Sequence, residues 1–169
     1  MENPFRPSES NPYILLITGF AAFLSIGAIA LIDQRFDDPY LIASFGATAV
    51  LIYGAPKAPF SQPKNVFFGH LFSAVIGVSI AWIFNVLGLY ADHYPMAIAL
   101  AVAAAIIVMM VTGTIHPPGG ATALTCVLNG YFAVEYIFRP VMLGVVLMMA
   151  IAYGANYLKS KVENCNTIE

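Results

Sequence analysis

Four long stretches of the sequence contain no Lys, Arg, Asp or Glu, and they lie at 13–32, 65–90, 94–112 and 140–158. A helix needs about 20 predominantly apolar residues to cross roughly 30 Å of hydrocarbon, and each stretch meets that length. The seven basic and nine acidic residues lie outside these stretches and outside a shorter apolar stretch at 40–54. A water-soluble fold has no physical reason to sort its charges in this way, so the pattern predicts an integral membrane protein.

Composition agrees with this prediction and excludes several functions. Charged residues make up 9% of the chain and hydrophobic residues 60%, whereas soluble domains carry about 25% charged residues. The net charge of −2 argues against a nucleic-acid partner. Two cysteines, Cys126 and Cys165, form neither a disulfide framework nor a metal pattern, and the three histidines are scattered. We therefore expect no metal and no cofactor.

The N-terminal region is not typical of a signal peptide. Its first ten residues carry Glu2, Arg6 and Glu9 rather than a basic cluster. The apolar run that follows is also long for the core of a signal peptide. We interpret this run as a retained membrane span.

The chain divides into six membrane segments without a linker that would separate domains. Their predicted bounds are about 13–32, 40–54, 65–90, 94–112, 113–130 and 140–158. Segments 2 and 5 are the short or interrupted ones, since Gly and Pro residues break the first half of segment 5. We predict one all-α transmembrane domain over residues 1–169.

Segments 2 and 5 also carry an internal repeat. Gly46-Ala47-Thr48-Ala49-Val50 matches Gly120-Ala121-Thr122-Ala123-Leu124 with four identities at an offset of 74. Chance competes with duplication here, because Ala and Gly are common. The match falls at the same place in the order long, short, long, which favours two repeats over about 13–90 and 94–158. Two halves of three segments each have opposite orientations, which is an inverted repeat typical of transporters.

The charges in the loops predict the orientation. With the N-terminus in the cytoplasm and six crossings, the cytoplasmic side carries Arg6, Lys57, Lys64, Lys159 and Lys161, and the outside carries Arg35 and Arg139. This distribution obeys the positive-inside rule. Re-entrant segments 2 and 5 would make it less one-sided, so we favour six crossings with both termini cytoplasmic.

The short segments predict two half-helices. A helix of 12–15 residues covers only about 18–22 Å, and extended chain at membrane depth must be buried or line a cavity. In segment 5, His116 precedes a proline, which favours extended backbone, and Pro118 suits a first helical turn. In segment 2 the equivalent start is Ser44-Phe45-Gly46, with Ser44 as the cap.

Facing half-helix N-termini predict a site for a small anion near the midplane. Each helix N-terminus contributes about 2 kcal/mol to the free energy of binding an anion in a favourable geometry. A total of about 4 kcal/mol corresponds to roughly millimolar affinity for the anion. The candidate anion-binding residues lie in the two matching segments: Ser44, Gly46, Ala47, Thr48, His116, Gly119, Gly120, Ala121 and Thr122. His70, Lys57 and Lys64 are candidates for the pathway to this site.

These residues resemble a known family. His116-Pro117-Pro118-Gly119-Gly120-Ala121-Thr122-Ala123-Leu124 is similar to the signature of the HPP family of integral membrane proteins, and Ser44–Leu51, Gln62–Asn65 and Gly69-His70 are similar to its other motifs. The resemblance covers roughly residues 13–158. It implies a membrane protein that moves nitrite or a similar anion, since some members are described as nitrite transporters of plastids and cyanobacteria. We expect a bacterial inner-membrane location.

Structural roles compete with functional ones at several residues. His116 could be a turn residue whose ring bonds the backbone, His70 could be buried or reach the interface, and His93 is expected in a solvated loop. Gly69, Ser73, Gly77 and Ala81 recur every four residues and predict a seam for close helix packing. Ala97, Ala101 and Ala105 predict a second one.

The sequence therefore predicts a membrane transport protein, in homo-oligomeric form, for a small monovalent anion, most of all nitrite. The alternative is a non-transporting membrane module such as a sensor or an assembly partner. An enzyme would need a paired acid, base or nucleophile inside the bilayer, and only His70 and His116 are available. We therefore expect no enzymatic activity.

Overall fold

The computed structural model describes residues 11–36 and 41–166, and only the backbone of residues 165 and 166. Arg6, Asp37, Asp38 and Tyr40 lie outside the described residues. Within the described residues every regular element is helical. The helices are α1 (Pro12–Phe36), α2 (Ala43–Ala49), α3 (Pro63–Val86), α4 (Tyr90–Thr112), α5 (Pro117–Leu128) and α6 (Leu143–Asn166). Single π-helical turns at Val50–Gly54 and Ile137–Met142 continue α2 and precede α6.

Four of these segments are long and apolar enough to cross a membrane, as the charge-free stretches predicted. They are Pro12–Phe36, Pro63–Val86, Tyr90–Thr112 and Ile137–Asn164. The helix at Pro63–Val86 begins two residues before its predicted start, and the helix at Tyr90–Thr112 begins four residues before its own. Tyr90, predicted as the end of segment 3, is therefore the first residue of α4. His93, expected in a loop, is exposed but lies inside α4, at a kink just before Pro95.

The break before α5 follows from its Gly and Pro residues. Gly113 ends α4 in the left-handed conformation, with φ of 62°, which glycine adopts without a Cβ clash. His116 is extended, with φ of −138° and ψ of 102°, because it precedes a proline. Pro117 then occupies the first helical position, where a missing N–H is not needed. The predicted interruption is confirmed, and α5 begins one residue before the predicted Pro118.

The predicted cap of α2 is wrong. The residue at the cap position is Ile42, whose side chain makes no capping bond, and Ser44 lies inside the first turn. The Ser44 hydroxyl instead meets the Thr122 hydroxyl of α5 at 2.9 Å. Ser44 therefore has its polar partner on another helix rather than on its own N-terminus.

The helices pack in two groups. One core joins α1, α2, α3 and α6 with Cys126 of α5 and includes the buried Phe45, Tyr53 and Met148, and the other joins α3, α4 and α5 around small side chains. Ala97, Ala101 and Ala105 are fully buried in the second core, which confirms the predicted alanine seam. Because α3 belongs to both groups, residues on α3 lie where the two groups meet.

The glycine seam of α3 is also confirmed. Gly69, Ser73, Gly77 and Ala81 are all buried. A Cβ atom added to Gly77 would lie 2.7 Å from the Cys126 Cβ and 2.8 Å from the Ala123 carbonyl oxygen of α5. The seam therefore lets α3 and α5 approach at backbone distance.

The outer faces of α1 and α4 are apolar and exposed. On α1 they carry Leu16, Phe20 and Phe23, which are 66–74% exposed, and on α4 Val111 reaches 83%. Contiguous apolar surface of this extent is typical of a membrane-facing surface. The lipid-facing side chains are thus separated from the polar groups inside the bundle.

Candidate functional site

Five polar side chains from α2, α3, α5 and the residue before α5 meet inside the bundle: Ser44, Thr48, His70, His116 and Thr122. We call them the polar cluster. Each is at most 1% exposed, so their hydrogen-bonding groups depend on one another for partners, and burial without partners would cost free energy. The cluster lies between the two packing groups, since Ser44 and Thr48 belong to α2 and Thr122 to α5.

The His70 ring links the two threonines. Its Nε2 atom lies 2.8 Å from the Thr48 hydroxyl and its Nδ1 atom lies 2.8 Å from the Thr122 hydroxyl. The Thr48 hydroxyl also lies 3.2 Å from the His116 Nε2 atom and 3.0 Å from the Ser44 carbonyl oxygen. Thr48 and Thr122 occupy the same place in the repeated Gly-Ala-Thr-Ala motif, so the motif brings two hydroxyls to one imidazole.

The segment before α3 holds the His116 ring from the other side. The His116 Nδ1 atom lies 2.7 Å from the Phe60 carbonyl oxygen, and the ring centroids of His70 and His116 are 4.9 Å apart. Asn65 fixes this arrangement by donating hydrogen bonds to the carbonyl groups of Pro59 and Ile115. The segments that flank His116 and Phe60 are thereby tied together.

Glycines make room for the cluster. A Cβ atom on Gly69 would lie 2.6 Å from the His116 Cβ, and one on Gly119 would lie 2.8 Å from the Gly69 carbonyl oxygen. In the second half, a Cβ atom on Gly144 would overlap the Phe45 ring. The Phe45 ring packs edge-on to His70, with ring centroids 5.9 Å apart. Only glycine at these positions allows the helices to bring the rings together.

The cluster lies closer to one end of the bundle. His70 is seven residues from the start of α3, which places it about 10 Å along a helix of roughly 36 Å at 1.5 Å per residue. His116 touches the carbonyl of Phe60 in the segment that links α2 and α3. The cluster is therefore nearer to this linking segment than to the turn between α3 and α4.

The other predicted site residues lie around the cluster. Gly119 is buried, Gly120 and Ala121 are half-buried, and Gly46 and Ala47 are exposed. An added Cβ would meet nothing within 4 Å at either Gly46 or Gly120. The two glycines of the repeated motif therefore border open space, whereas Gly119 forms the close contact.

The N-terminus of α5 has few free amide groups. Pro117 and Pro118 have no N–H, and the Gly119 N–H donates to the His116 carbonyl at 2.8 Å. The first three residues of α5 therefore offer no free amide group, and the side chains of the polar cluster are donors beside them.

The predicted pathway lysines lie at the exposed surface. Lys57 and Lys64 are exposed, and the Lys57 ammonium pairs with Glu163 at 3.4 Å. A surface pair of this kind contributes at most about 1 kcal/mol. Both lysines flank the segment that carries Phe60.

A separate cavity of about 470 Å³ lies beside α6. It is lined by Ile52, Pro56, Ser61, Pro63, Val66, Met149, Ala152, Tyr153, Asn156 and Tyr157. These residues belong to the end of α2, the linking segment, the start of α3 and the outer part of α6. The polar cluster, by contrast, is closed in this conformation.

The sequence did not indicate several of the contacts that hold these segments together. The Phe60 contact involves a backbone carbonyl, which leaves no mark in the sequence. Lys159, used above only as a topology signal, is 6% exposed and donates to the Tyr53 carbonyl near the end of the π-helical turn. Asn156 donates to the neighbouring Ile52 carbonyl at 3.2 Å. The Gly/Ser/Gly/Ala spacing of α3 did indicate a close contact, although not its partner.

The fold and the cluster together define a class. Four apolar helices of membrane-spanning length, two short helices and a buried polar cluster describe a helical integral membrane protein with a polar interior. The sequence profile described as "HPP, transmembrane region" matches residues 7–164. The chain belongs to the HPP family of integral membrane proteins, in agreement with the resemblance noted above.

Two curated relatives come from Dictyostelium discoideum. Both are described only as transmembrane proteins: one is 39% identical over 155 residues, covering 85% of this chain and 52% of the relative, and the other is 40% identical over 149 residues, covering 83% and 47%. This chain thus spans about half the length of the relatives that it matches. No solved structure matches the chain. Bacterial origin and the orientation of the termini stay predictions.

Proposed function

We propose that this chain moves a small monovalent anion across the membrane through the polar cluster, with nitrite as the first candidate. The observation that carries the proposal is the cluster itself, with two hydroxyls from a repeated motif on either side of a buried imidazole. Polar and ionisable groups inside a membrane are expensive and commonly mark an ion or proton pathway.

The chemistry of the cluster favours an anion. Its hydrogen-bonding groups are hydroxyls, imidazoles and backbone carbonyls, and the hydroxyls and ring N–H groups can donate to an anion. In the described part of the cluster no carboxylate is among the hydrogen-bond partners that would compensate a cation. Without an ammonium or guanidinium in the cluster, a multivalent anion would lack the countercharge that it needs. A small monovalent anion fits both constraints.

The repeat supports an inverted arrangement of the two halves. Gly69 of α3 packs against the start of α5, and Gly144 of α6 packs against Phe45 of α2. Gly144 aligns with Gly69 in the repeat once one residue is inserted after the matching motifs. Each long helix therefore contacts the short helix of the other half, as a two-fold relation between the halves requires. The predicted orientation, with Lys57 and Lys64 in the cytoplasm, stays part of this proposal.

The burial of the cluster bears on how the anion would pass. All five side chains are at most 1% exposed, so passage needs a movement that opens the cluster to one side. The donors are already bonded to one another, which limits affinity because the anion must displace internal partners. A weak site of this kind suits transport, since the ion must also leave.

Assembly of this chain into a homo-oligomer stays a proposal. The small-residue seams that suggested contacts between copies are buried within one chain, at Gly69, Gly77 and the α4 alanines. Chemical cross-linking of the protein in native membranes, followed by mass determination, would decide it.

Flux through purified protein tests the transport proposal. The full chain would be reconstituted in liposomes, and the entry of nitrite, nitrate, formate and chloride compared with that of sodium and potassium. We expect the monovalent anions to enter faster than through protein-free liposomes, and the cations not to. Faster entry of sodium or potassium, or no flux from well-assembled protein, would overturn the proposal and favour a non-transporting module.

A further inference from the structure

One backbone group, the Phe60 carbonyl, determines which atoms of the polar cluster carry the hydrogens. The Phe60 carbonyl oxygen can only accept, so the His116 Nδ1 atom at 2.7 Å must carry the hydrogen. A neutral His116 ring then has a bare Nε2 atom that needs a donor. The Thr48 hydroxyl, at 3.2 Å, is in position to supply it.

The same reasoning continues through His70. When the Thr48 hydroxyl donates to His116, its oxygen can accept from His70 Nε2–H at 2.8 Å. The His70 Nδ1 atom is then bare and accepts from the Thr122 hydroxyl at 2.8 Å. The neutral cluster is thus a single file of hydrogen bonds, all pointing from Thr122 towards Phe60.

Both threonines also have a second acceptor within reach. The Thr48 hydroxyl lies 3.0 Å from the Ser44 carbonyl oxygen. The Thr122 hydroxyl lies 2.9 Å from the Ser44 hydroxyl and 3.3 Å from the Pro118 carbonyl oxygen. A proton added to His70 Nδ1 therefore needs only a rotation of the Thr122 hydroxyl, after which each ring nitrogen again has a partner.

The cluster has room for one added proton and not for two. The two ring centroids are 4.9 Å apart and both rings use Thr48 as a partner, so two imidazolium ions would repel each other at close range. Among the described contacts, the elements around the two rings present no carboxylate. The groups in direct contact with the rings are Phe45 and Thr48 of α2, Thr122 of α5 and the Phe60 carbonyl. Beyond them lie Met109 of α4, which contacts Ser73, and Gly144 of α6, which contacts Phe45. Charged Lys57 and Lys64 are exposed, and Lys159 of α6 is bonded to the Tyr53 carbonyl.

We propose that the polar cluster carries one proton with each anion, so that the transported unit is electrically neutral. This inference rests on the transport proposal and names its coupling ion. The proton comes from water on one side, adds to His70 Nδ1, and returns to water on the other side when the anion leaves. The positive ring supplies the countercharge that the cluster otherwise lacks, and no other bond is made or broken.

Reconstituted wild-type protein tests the coupling without any variant. Nitrite and nitrate entry would be measured with a pH dye inside the liposomes and the membrane potential set by potassium and valinomycin. Nitrate serves beside nitrite because nitric acid is fully dissociated and does not leak through lipid. We expect internal acidification equal to anion entry, no effect of the potential, and a rate that rises up to about tenfold per unit of external acidification.

Variants locate the proton. His70→Gln keeps a hydrogen-bonding side chain but cannot take up a proton, so its residual flux should lose the response to external pH. His93→Gln on the exposed kink of α4 is the matched control and should behave as wild type. Anion entry that follows the membrane potential without acidification would overturn the coupling and leave the transport proposal intact. An absence of flux would overturn both, and a full pH response in His70→Gln would remove His70 as the proton carrier.

Discussion

Helices α2 and α5 share the sequence Gly-Ala-Thr-Ala, yet they are held in different ways. The α5 helix has 12 residues, and its buried Gly119 lies against the Gly69 carbonyl of α3. The α2 helix has seven residues, continues as a π-helical turn, and contacts α6 through the Phe45 ring. Both helices nevertheless bring a threonine hydroxyl to within 2.8 Å of His70.

This difference separates two roles within one motif. The threonine has the same task in both helices, whereas the packing of each helix is set by residues outside the motif. For α5 these are glycines that allow backbone contact, and for α2 an aromatic ring that fills space against Gly144. The following predictions test each part of this comparison, beginning with the largest expected effect.

The first prediction concerns the direction of the two short helices. If the halves are inverted, the residues that follow them lie on opposite sides of the membrane. Exposed Lys57 and Asn129 would each be replaced by cysteine in a protein lacking Cys126 and Cys165. In intact cells we expect an impermeant maleimide to label Asn129→Cys fully and Lys57→Cys only after permeabilisation. Labelling of both from the same side would exclude the inverted repeat.

The second prediction contrasts adjacent glycines of α5. Gly119→Ala places a Cβ 2.8 Å from the Gly69 carbonyl oxygen, and this overpacking should lower the free energy of unfolding by about 1–3 kcal/mol. Gly120→Ala meets nothing within 4 Å and should raise it by roughly 0.5–1 kcal/mol, since alanine favours a helix over glycine.

Exposure of the buried Cys126 thiol to a reactive dye on heating, in a protein lacking Cys165, would report unfolding in detergent. Equal effects of the two substitutions would show that Gly119 is not a packing contact. Gly46→Ala on α2 provides the same control in the first half, because it also borders open space.

The third prediction concerns the shared role of the threonines. Thr48→Val and Thr122→Val keep the shape and remove the hydroxyl, which leaves buried ring nitrogens without partners at a cost of about 1–3 kcal/mol each. We expect nitrite flux to fall at least about tenfold in both, with the larger loss in Thr48→Val because Thr48 contacts two rings.

Thr125→Val is the matched control, because the Thr125 hydroxyl donates to the Ala121 carbonyl of its own helix, at 2.8 Å. Its flux should stay near the wild-type value. A comparable loss in the control would mean that the threonine hydroxyls act on helix stability rather than on the site.

The smallest expected effect on anion flux comes from the charged residues that follow the two short helices. Lys57 and Lys64 follow α2, whereas Glu135 follows α5. Replacing both lysines with Gln should lower anion flux by less than about twofold at low salt and hardly at all at high salt, because salt screens exposed charges. A salt-independent loss would instead place these lysines in direct contact with the anion.

Much of the fold was predictable because the bilayer restricts the possibilities. Charge-free stretches predicted the four long helices, and the Pro-Pro-Gly-Gly sequence predicted the break before α5. The same reasoning selected Ser44, Thr48, His116 and Thr122, which the structure brings together. The long helices and the break were predictable because each depends on local sequence and on position along the chain, whereas anion binding by the four residues stays a prediction.

The remainder depended on contacts between distant residues. His70 was assigned only to a pathway, because its bonds cross 22 and 52 residues of sequence. Ser44 was predicted to cap its own helix, since nothing local indicates that its hydroxyl faces Thr122 across 78 residues. The sequence also predicted that free N–H groups at the start of α5 would bind the anion. It did not indicate that the Gly119 N–H donates to the His116 carbonyl.

The contact of Lys159 with the Tyr53 carbonyl changes where this membrane domain ends. Hydropathy places the end of the last apolar stretch at Leu158, so a chain truncated by that criterion would lose Lys159. The Tyr53 carbonyl, near the C-terminal end of the π-helical turn that continues α2, would then lose the buried ammonium that it accepts from. The internal contacts of this HPP domain therefore extend at least one residue beyond its apolar boundary, so fusions or truncations at that boundary should begin after Lys159.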